Sequence, residues 1–264
     1  MRGLSQTTAV ALLTLIAVVS AGILYMWYSG FTGGNEPSAS SGLAALRIVA
    51  VSPLYSGNSE YCYGVSVAVA NIGDAPVTLG NVSSIILGDA SGSTVPCIGL
   101  WDGDTTIPPG EIVELTALPM GQLSSARTMQ VRVVSTGGAE ASSTLRTMCE
   151  RVARGYVVRL PALDGYTTTI DAGGVNVTLA VELYDATYNT YNVSYRVDMP
   201  DGVRLAYARL EILNSTGGHP RWAANPVVEH YDVPGPNYAA NYWLPVGRDE
   251  FPVTVLASLY TERG

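Results

Sequence analysis

The stretch VSVAVANIGDAPVTLGNV, residues 65–82, decides the fold class of this chain. Within it, Val65, Val67 and Val69 alternate with small residues, which is the two-residue period of a half-buried β-strand. The sequence NIGD, residues 71–74, then brings together Asn, Gly and Asp, the residue types that form tight turns. We therefore expect a strand, a turn and a further strand, as in an antiparallel β-domain.

The same succession of short apolar runs and turns continues along the chain. Short strands separated by turn residues are typical of antiparallel sandwiches. We expect two antiparallel β-sandwich domains, at 45–138 and at 156–264. The strands expected are 46–51, 76–79, 83–87, 112–118 and 129–134 in the first domain, and 175–183, 193–199, 203–213 and 253–260 in the second.

Residues 139–155 would join the two sandwiches. Leu145, Met148, Cys149 and Val152 stand at i, i+3, i+4 and i+7, which is the spacing of one helical face. A charged linker strand fits the same residues. Of the two, we favour a short amphipathic helix.

The N-terminal stretch 4–31 contains no charged residue. A helix over these residues would be roughly 42 Å long at about 1.5 Å per residue, more than the roughly 30 Å of a bilayer core. Arg2 precedes the stretch and the first charge after it is Glu36, so the positive-inside rule keeps the N-terminus cytoplasmic. The fold class expected is therefore mainly β, with a long N-terminal hydrophobic α-helix at 4–31, a flexible linker at 32–44 and the two sandwiches.

The residues alone leave three possible fates for this segment. A secretory signal could be cut after Ala21, and an uncleaved signal anchor fits the hydropathy equally well. The third fate comes from the sequence RGLSQ, residues 2–6, which stands directly before the apolar stretch. It resembles the prepilin-type, class III leader of archaeal type IV pilins and archaellins. The pattern at 67–82, followed by IPPGEIVEL at 107–115, is similar to the β-sandwich of the same family.

The resemblance implies cleavage between Gly3 and Leu4, so that residues 1–3 are a leader and the apolar helix stays on the mature chain. Bacterial pilins carry a glutamate at the fifth mature position, where this chain has Thr8. The family implies helices packed against one another in a filament core, with the β-domains outside. Small residues allow such close packing between helices. The candidates here are Ala17, Ala21 and Gly22.

The partners follow from the same resemblance. They are copies of the chain in a helical homopolymer, a prepilin peptidase, and a pilus assembly platform with its ATPase. The precursor would sit in the cytoplasmic membrane with its N-terminus inside, and the mature protein in an extracellular filament at the cell surface.

The amino-acid composition argues against several other classes of function. The chain holds 14 basic residues, all of them arginine, against 22 acidic ones, for a formal net charge of -8. Such a chain is a poor nucleic-acid binder, because that affinity depends on clustered basic residues. Without lysine there is no P-loop and no Schiff-base chemistry. His219 and His230 show no ligand spacing, and Asp102-Gly103-Asp104 fits an ordinary turn better than a calcium loop. We expect no enzyme, no catalytic residue, no metal and no cofactor.

Two kinds of covalent modification are expected in an exported protein. One is N-glycosylation, for which four N-x-S/T sequons are candidates: Asn81, Asn176, Asn192 and Asn214. The other is a disulfide, since an oxidising compartment favours pairing two of the three cysteines. Sequence does not choose among the three pairings; Cys62–Cys97 is preferred because both residues fall in one expected domain, which leaves Cys149 single.

Together these features predict a structural subunit, a pilin, of an extracellular type IV-like filament for adhesion or surface attachment. One alternative is a minor or tip adhesive pilin. Another is a monomeric, signal-anchored binding module for a sugar or cell-envelope ligand. Aromatic residues in the second half could form its sugar platform, although strands and cores also favour them. They are Tyr184, Tyr188, Tyr191, Tyr195, Trp222, Tyr231, Tyr238, Tyr242 and Trp243.

Overall fold

A computed structural model describes residues 43–223, 225–233 and 244–263. The leader, the apolar stretch at 4–31 and the linker up to residue 42 lie outside these residues, as do Tyr238, Tyr242 and Trp243. The described chain from Ala44 onward belongs to one compact unit. It contains two hydrophobic cores, which define a first β-region and a second β-region.

The first β-region is built from ten strands. Val65, Val67 and Val69 of β2 are completely buried, so the valine alternation at 65–69 does mark the core face of a strand. The main sheet has the order β1-β2-β7-β5-β4-β8-β9, with β10 parallel to β2, while β3 and β6 form a separate ribbon. The strands are β1 Leu46–Tyr55, β2 Tyr61–Asn71, β3 Val77–Leu79, β4 Val82–Asp89, β5 Thr94–Gly99, β6 Thr105–Ile107, β7 Ile112–Pro119, β8 Thr128–Val134, β9 Glu140–Arg146 and β10 Arg151–Val152.

The second β-region is a sandwich of two four-stranded sheets around one core. The β15 sheet has the order β11-β18-β15-β16, and the β13 sheet has the order β12-β13-β14-β17. Val177, Leu179 and Val181 of β13 point into this core, as their alternation predicts. The strands are β11 Arg154–Leu160, β12 Tyr166–Ala172, β13 Val175–Asp185, β14 Thr190–Asp198, β15 Val203–Leu213, β16 Val227–Val233, β17 Leu244–Gly247 and β18 Val253–Arg263, with a 3-10 turn at Arg248–Glu250.

The expected fold class needs correction, because the structure supports an all-β class. The described residues form strands and one 3-10 turn, and they include no α-helix. Within the same residues, no helical segment has the length and apolar character needed to cross a bilayer. The expected long N-terminal helix at 4–31 falls on residues that the structure does not describe, and it is not part of the fold class assigned here.

The helix expected in the joint is wrong. Residues Glu140–Arg146 form β9, which pairs antiparallel with β8, and their exposure alternates with a period of two. Ser142, Ser143 and Thr144 lie in this strand, and such residues lack a strong helical preference. Pairing with the open edge of β8 therefore outweighs the helical spacing of the apolar residues further along.

Candidate functional site at the junction of the two β-regions

The chain crosses from the first β-region to the second through β10 and β11, which are separated only by Ala153. Arg151 and Val152 pair in parallel with Tyr61 and Cys62 of β2. The backbone N–H of Ala153 then donates to the carbonyl oxygen of Cys62 at 2.8 Å. This short connection holds the start of the second β-region against β2.

A disulfide between Cys62 and Cys149 closes the crossing, with the two Cα atoms 5.7 Å apart. The expected Cys62–Cys97 pairing is therefore wrong. Cys97 lies on β5 opposite Pro119 and is a free, buried thiol, and burial raises its pKa to about 12. Sequence could not select Cys149, because only the parallel pairing of β10 brings it beside Cys62.

Aromatic rings fill one end of the junction, which we call the closed end. Tyr61 of β2 stacks on Tyr207 of β15, with ring centroids 4.7 Å apart and planes 5° from parallel. Tyr260 of β18 packs against the same Tyr61 at 5.5 Å. Ala153 and Ala206 complete this small buried cluster. Since Tyr61 and Tyr207 are 2% and 0% exposed, water is excluded from the contact.

Charged groups surround the closed end. Arg151 donates to Glu60 at 2.6 Å and pairs with Glu262 at 3.3 Å, so it joins a carboxylate from each β-region. The guanidinium of Arg209, a largely buried side chain, lies 4.1 Å from the ring centroid of Tyr63. Cation–π contacts of this kind are strengthened when water is excluded.

The carboxylate of Glu229 on β16 accepts hydrogen bonds from donors in both β-regions. These donors are the hydroxyl of Tyr207 at 2.9 Å, the hydroxyl of Tyr231 at 2.8 Å and the backbone N–H of Gly57 at 2.9 Å. Burial, followed by the nearby Glu229 charge, raises the pKa of Tyr207 far above its ordinary value. Tyr207 therefore stays a neutral donor, and the closed end is fixed by directional bonds as well as by packing.

The other end of the junction opens into a cleft of about 640 Å³, which we call the open end. Its floor is the outer face of the β15 sheet, where Val157 pairs with Leu256 and Arg159 with Thr254. Its wall is the loop 100–103 that follows β5 in the first β-region. Arg159 donates to the carboxylate of Asp102 at 2.6 Å and so links floor to wall.

Trp101 is the largest side chain of the wall. A Cβ atom added to Gly99 would lie 2.3 Å from the Trp101 ring, so only glycine lets the ring pack so close to the backbone. The indole Nε1 atom is buried and has no hydrogen-bond partner among the described residues. A buried donor without a partner costs about 1–3 kcal/mol, so the ring position is not explained by its own hydrogen bonding.

The cleft brings together two of the four sequons. Asn81 and Asn214 both line it, although they are far apart in sequence. The Asn214 side-chain oxygen accepts from the Thr216 hydroxyl at 2.8 Å, within the turn that follows β15. Asn176 is exposed on β13, and Asn192 is half-buried on β14. Occupancy of the four sequons stays a prediction.

The aromatic residues of the second β-region do not form one platform. Tyr191 and Tyr195 belong to the core, whereas Tyr184 near the end of β13 and Tyr188 in the turn that follows are 67% and 73% exposed. Tyr188 lies in the turn between β13 and β14, so it shares no sheet face with Tyr191 and Tyr195.

The two histidines have separate partners. His230 lies against the Tyr195 hydroxyl, with burial lowering the pKa of His230, and His219 contacts Glu211 at 2.9 Å. The described residues contain no group of three or more metal-ligating side chains. Asp102 lies in a bend with Gly103 at positive φ, and its carboxylate also accepts a hydrogen bond from Arg159 at the cleft.

Sequence reasoning missed Trp101 and Arg159 as parts of one site. They belong to different β-regions, and nothing in the local pattern around either residue indicates the other. The sequence WDGD at 101–104 indicates only a turn, because Asp and Gly are typical turn residues.

The fold and junction define an all-β protein with two β-regions in one compact unit, a disulfide at the crossing and a cleft between the regions. No protein-family model matches the chain, and no curated protein matches it.

Among solved structures, the chain is similar to the archaellum periplasmic stator protein FlaG from Sulfolobus acidocaldarius, at 18% identity over 39% of this chain and 100% of that one, with a TM-score of 0.30. It is also similar to the FlaF and FlaG stator complex of that organism, at 17% identity over 42% of this chain and 96% of that one, with a TM-score of 0.28. A carbohydrate-binding module of the β-sandwich superfamily aligns at 13% identity over 85% of this chain and 95% of that one, with a TM-score of 0.19. Likenesses this weak assign neither a family nor a function, and the pilin resemblance stays a prediction.

Proposed function

We propose that this protein is a structural subunit of an extracellular, type IV-like surface filament, and that it serves surface attachment without catalysing a reaction. The observation that carries the proposal is the order of features in one chain. The sequence RGLSQ at 2–6, which resembles a prepilin-type leader, stands at the start of the uncharged segment 4–31, and a disulfide-closed all-β body follows.

The disulfide supports export of the β-body. Cys62 and Cys149 are 1% and 0% exposed, and their bond ties the crossing between the two β-regions. Disulfides form and persist in oxidising compartments and are rare in the cytosol of mesophiles. A bridge at this central position therefore suits a body that folds outside the cytoplasmic membrane.

The uncharged segment supports assembly. Residues 4–31 present apolar surface without a single charge, and such surface is driven out of water. It suits storage of the precursor in a membrane and later burial against other copies of the chain. The net charge of -8 keeps the outer surface soluble through weak repulsion between copies.

The junction supports a mechanical role for the body. Tyr61, Tyr207 and Arg151 tie the two β-regions together at the closed end, within one compact unit. A filament subunit needs such a connection, because the part packed in the filament must hold the outer surface in place.

The test is N-terminal sequencing and intact mass of the protein isolated from its own cells, without reduction. We expect a chain that starts at Leu4, with the mass of one disulfide. A start at Met1 would indicate a plain membrane anchor, and a start at Gly22 an ordinary secreted protein; either result overturns the proposal.

A pair of variants makes the same test sharper. Gly3→Trp replaces the small residue before the expected cut and should keep the leader on the chain. Ser5→Ala, two residues away on the other side of the cut, should still be processed. Equal processing of both variants would show that a prepilin-type peptidase does not act here.

A further inference from the structure

The open end of the junction has the properties of a ligand site. We propose that this cleft binds a neutral saccharide, with Trp101 as the stacking surface and Asp102 and Arg159 as hydrogen-bonding groups at the mouth. The proposal goes beyond the filament role, and it stands whether or not the chain polymerises.

The size of the cleft is suited to a small ligand. Its volume of about 640 Å³ falls within the roughly 300–1,000 Å³ of small-molecule sites. It lies between two separately cored β-regions, and such boundaries are a common place for ligand sites. An exposed ion pair between Arg159 and Asp102 links the floor of this space to its wall.

The cleft carries no unpaired charge on its described residues, and this favours a neutral ligand. Among the described residues that line it, the charged ones are Asp102 and Arg159, and these two neutralise each other. A phosphate or a carboxylate ligand would need an unpaired cation, and a cationic ligand an unpaired carboxylate. A polyhydroxylated molecule needs neither, and it can exchange hydrogen bonds with both members of the pair.

The surfaces of the cleft match the two faces of a sugar ring. The C–H groups of a pyranose pack on an aromatic face, and Trp101 supplies the largest ring in the lining. Val157, Leu213 and Leu256 add apolar area on the floor. Trp101 is half-buried and packs against the core of the first β-region, which fixes the position of its ring in the wall.

The rim supplies polar groups for the ring hydroxyls. Asn81, Asn214, Ser215 and Thr254 all line the cleft. Asn81, Ser215 and Thr254 offer amide and hydroxyl donors and acceptors, the neutral groups that orient sugars in binding sites. The Asn214 amide is bonded within its own turn and shapes the rim instead. Apolar floor and polar rim together give the mixed character that saccharides require.

The saccharide has two conceivable sources, because Asn81 and Asn214 are themselves sequon residues. A free or surface-bound sugar could enter from outside. Alternatively, a glycan carried by one of these asparagines could fold back over Trp101. Protein made in a host without N-glycosylation distinguishes the two, because only the free sugar can then fill the cleft.

The experiment is calorimetric titration of the full chain, kept in a detergent without a sugar head group, with cellotriose, maltotriose and chitotriose as probes. We expect at least one of these probes to bind unglycosylated protein with a Kd of about 1 mM or tighter. Trp101→Ala should weaken that binding roughly tenfold, which corresponds to the loss of one aromatic contact.

Trp222→Ala is the matched control, because Trp222 is 56% exposed and does not line the cleft. It should bind like the unchanged chain. Asp102→Asn keeps the size of the side chain and should weaken binding less than Trp101→Ala does. Comparing unfolding temperatures of the variants separates lost binding from lost folding.

Two results would overturn the proposal. One is the absence of binding by all three probes at about 10 mM to the unglycosylated, folded chain. The other is binding that Trp222→Ala removes and Trp101→Ala leaves intact. Binding to unglycosylated protein that is absent in native, glycosylated protein would support the site and identify the attached glycan as its occupant.

Discussion

The two ends of the junction use the same outer face of the β15 sheet in opposite ways. At the closed end, Tyr207 and Arg209 meet Tyr61 and Tyr63 of the first β-region, and rings and guanidinium fill the space. At the open end, the face carries the smaller residues Val157, Thr254 and Leu256, and the facing loop stays at a distance. The contrast indicates that the closed end stabilises the body, whereas the open end is free to bind.

The largest loss of stability is expected from Tyr207→Ala at the closed end. Removing a fully buried ring leaves a cavity and costs about 3–5 kcal/mol of the free energy of unfolding. Denaturant unfolding of the full chain measures this change. Tyr207→Phe keeps the ring and loses only the bond to the Glu229 carboxylate, so it should cost about 1.5–3 kcal/mol. Equal losses in the two variants would mean that packing does not hold the closed end.

The disulfide should have the next largest effect. The double variant Cys62→Ala, Cys149→Ala opens a link with a sequence separation of 87, and we expect a loss of about 2–5 kcal/mol. Denaturant unfolding without reductant measures it. Cys97→Ala is the control, because Cys97 is buried but unbonded, and it should cost only about 1 kcal/mol. A larger loss from the control would show that the crossing does not depend on the bridge.

The smallest effect is expected at the open end. Arg159→Ala removes an ion pair whose side chains are 66% and 91% exposed, and such pairs contribute about 0–1 kcal/mol. Thermal unfolding should therefore change little, and added salt should reduce the difference further. If this variant lost as much stability as Tyr207→Ala, the ion pair and not the aromatic stack would hold the junction together.

Much of the fold could be predicted from local patterns. The valines at 65–69 and the alternation at 175–183 correctly indicated strands and their core faces, because the strand period is a property of neighbouring residues. The joint was misread because helical and strand spacing are both compatible with so short a segment. Residues 140–146 form a strand because they pair with the open edge of β8, and that edge exists only in the folded sheet.

The site was far harder to predict than the strands. Trp101 and Arg159 lie in different β-regions, and Cys62 and Cys149 meet only after β10 pairs with β2. These contacts depend on how two regions pack, which no short stretch of sequence specifies. Asp102 was interpreted as part of an ordinary turn, and its partner Arg159 could not be named without the β15 sheet beside it.

The Cys62–Cys149 bond also determines how a pulling force would pass through the molecule. A force applied between Ala44 and the second β-region reaches Cys62 through β1 and β2, crosses the sulfur bridge, and leaves through β10. The strands β3 to β9 lie between the bridged cysteines, so tension cannot extend that part of the chain while the bond is intact. Most of the first β-region is thus shielded from stretching by a single covalent bond. In a protein anchored at one end and attached to a surface at the other, the strands β3 to β9 would not be stretched under shear.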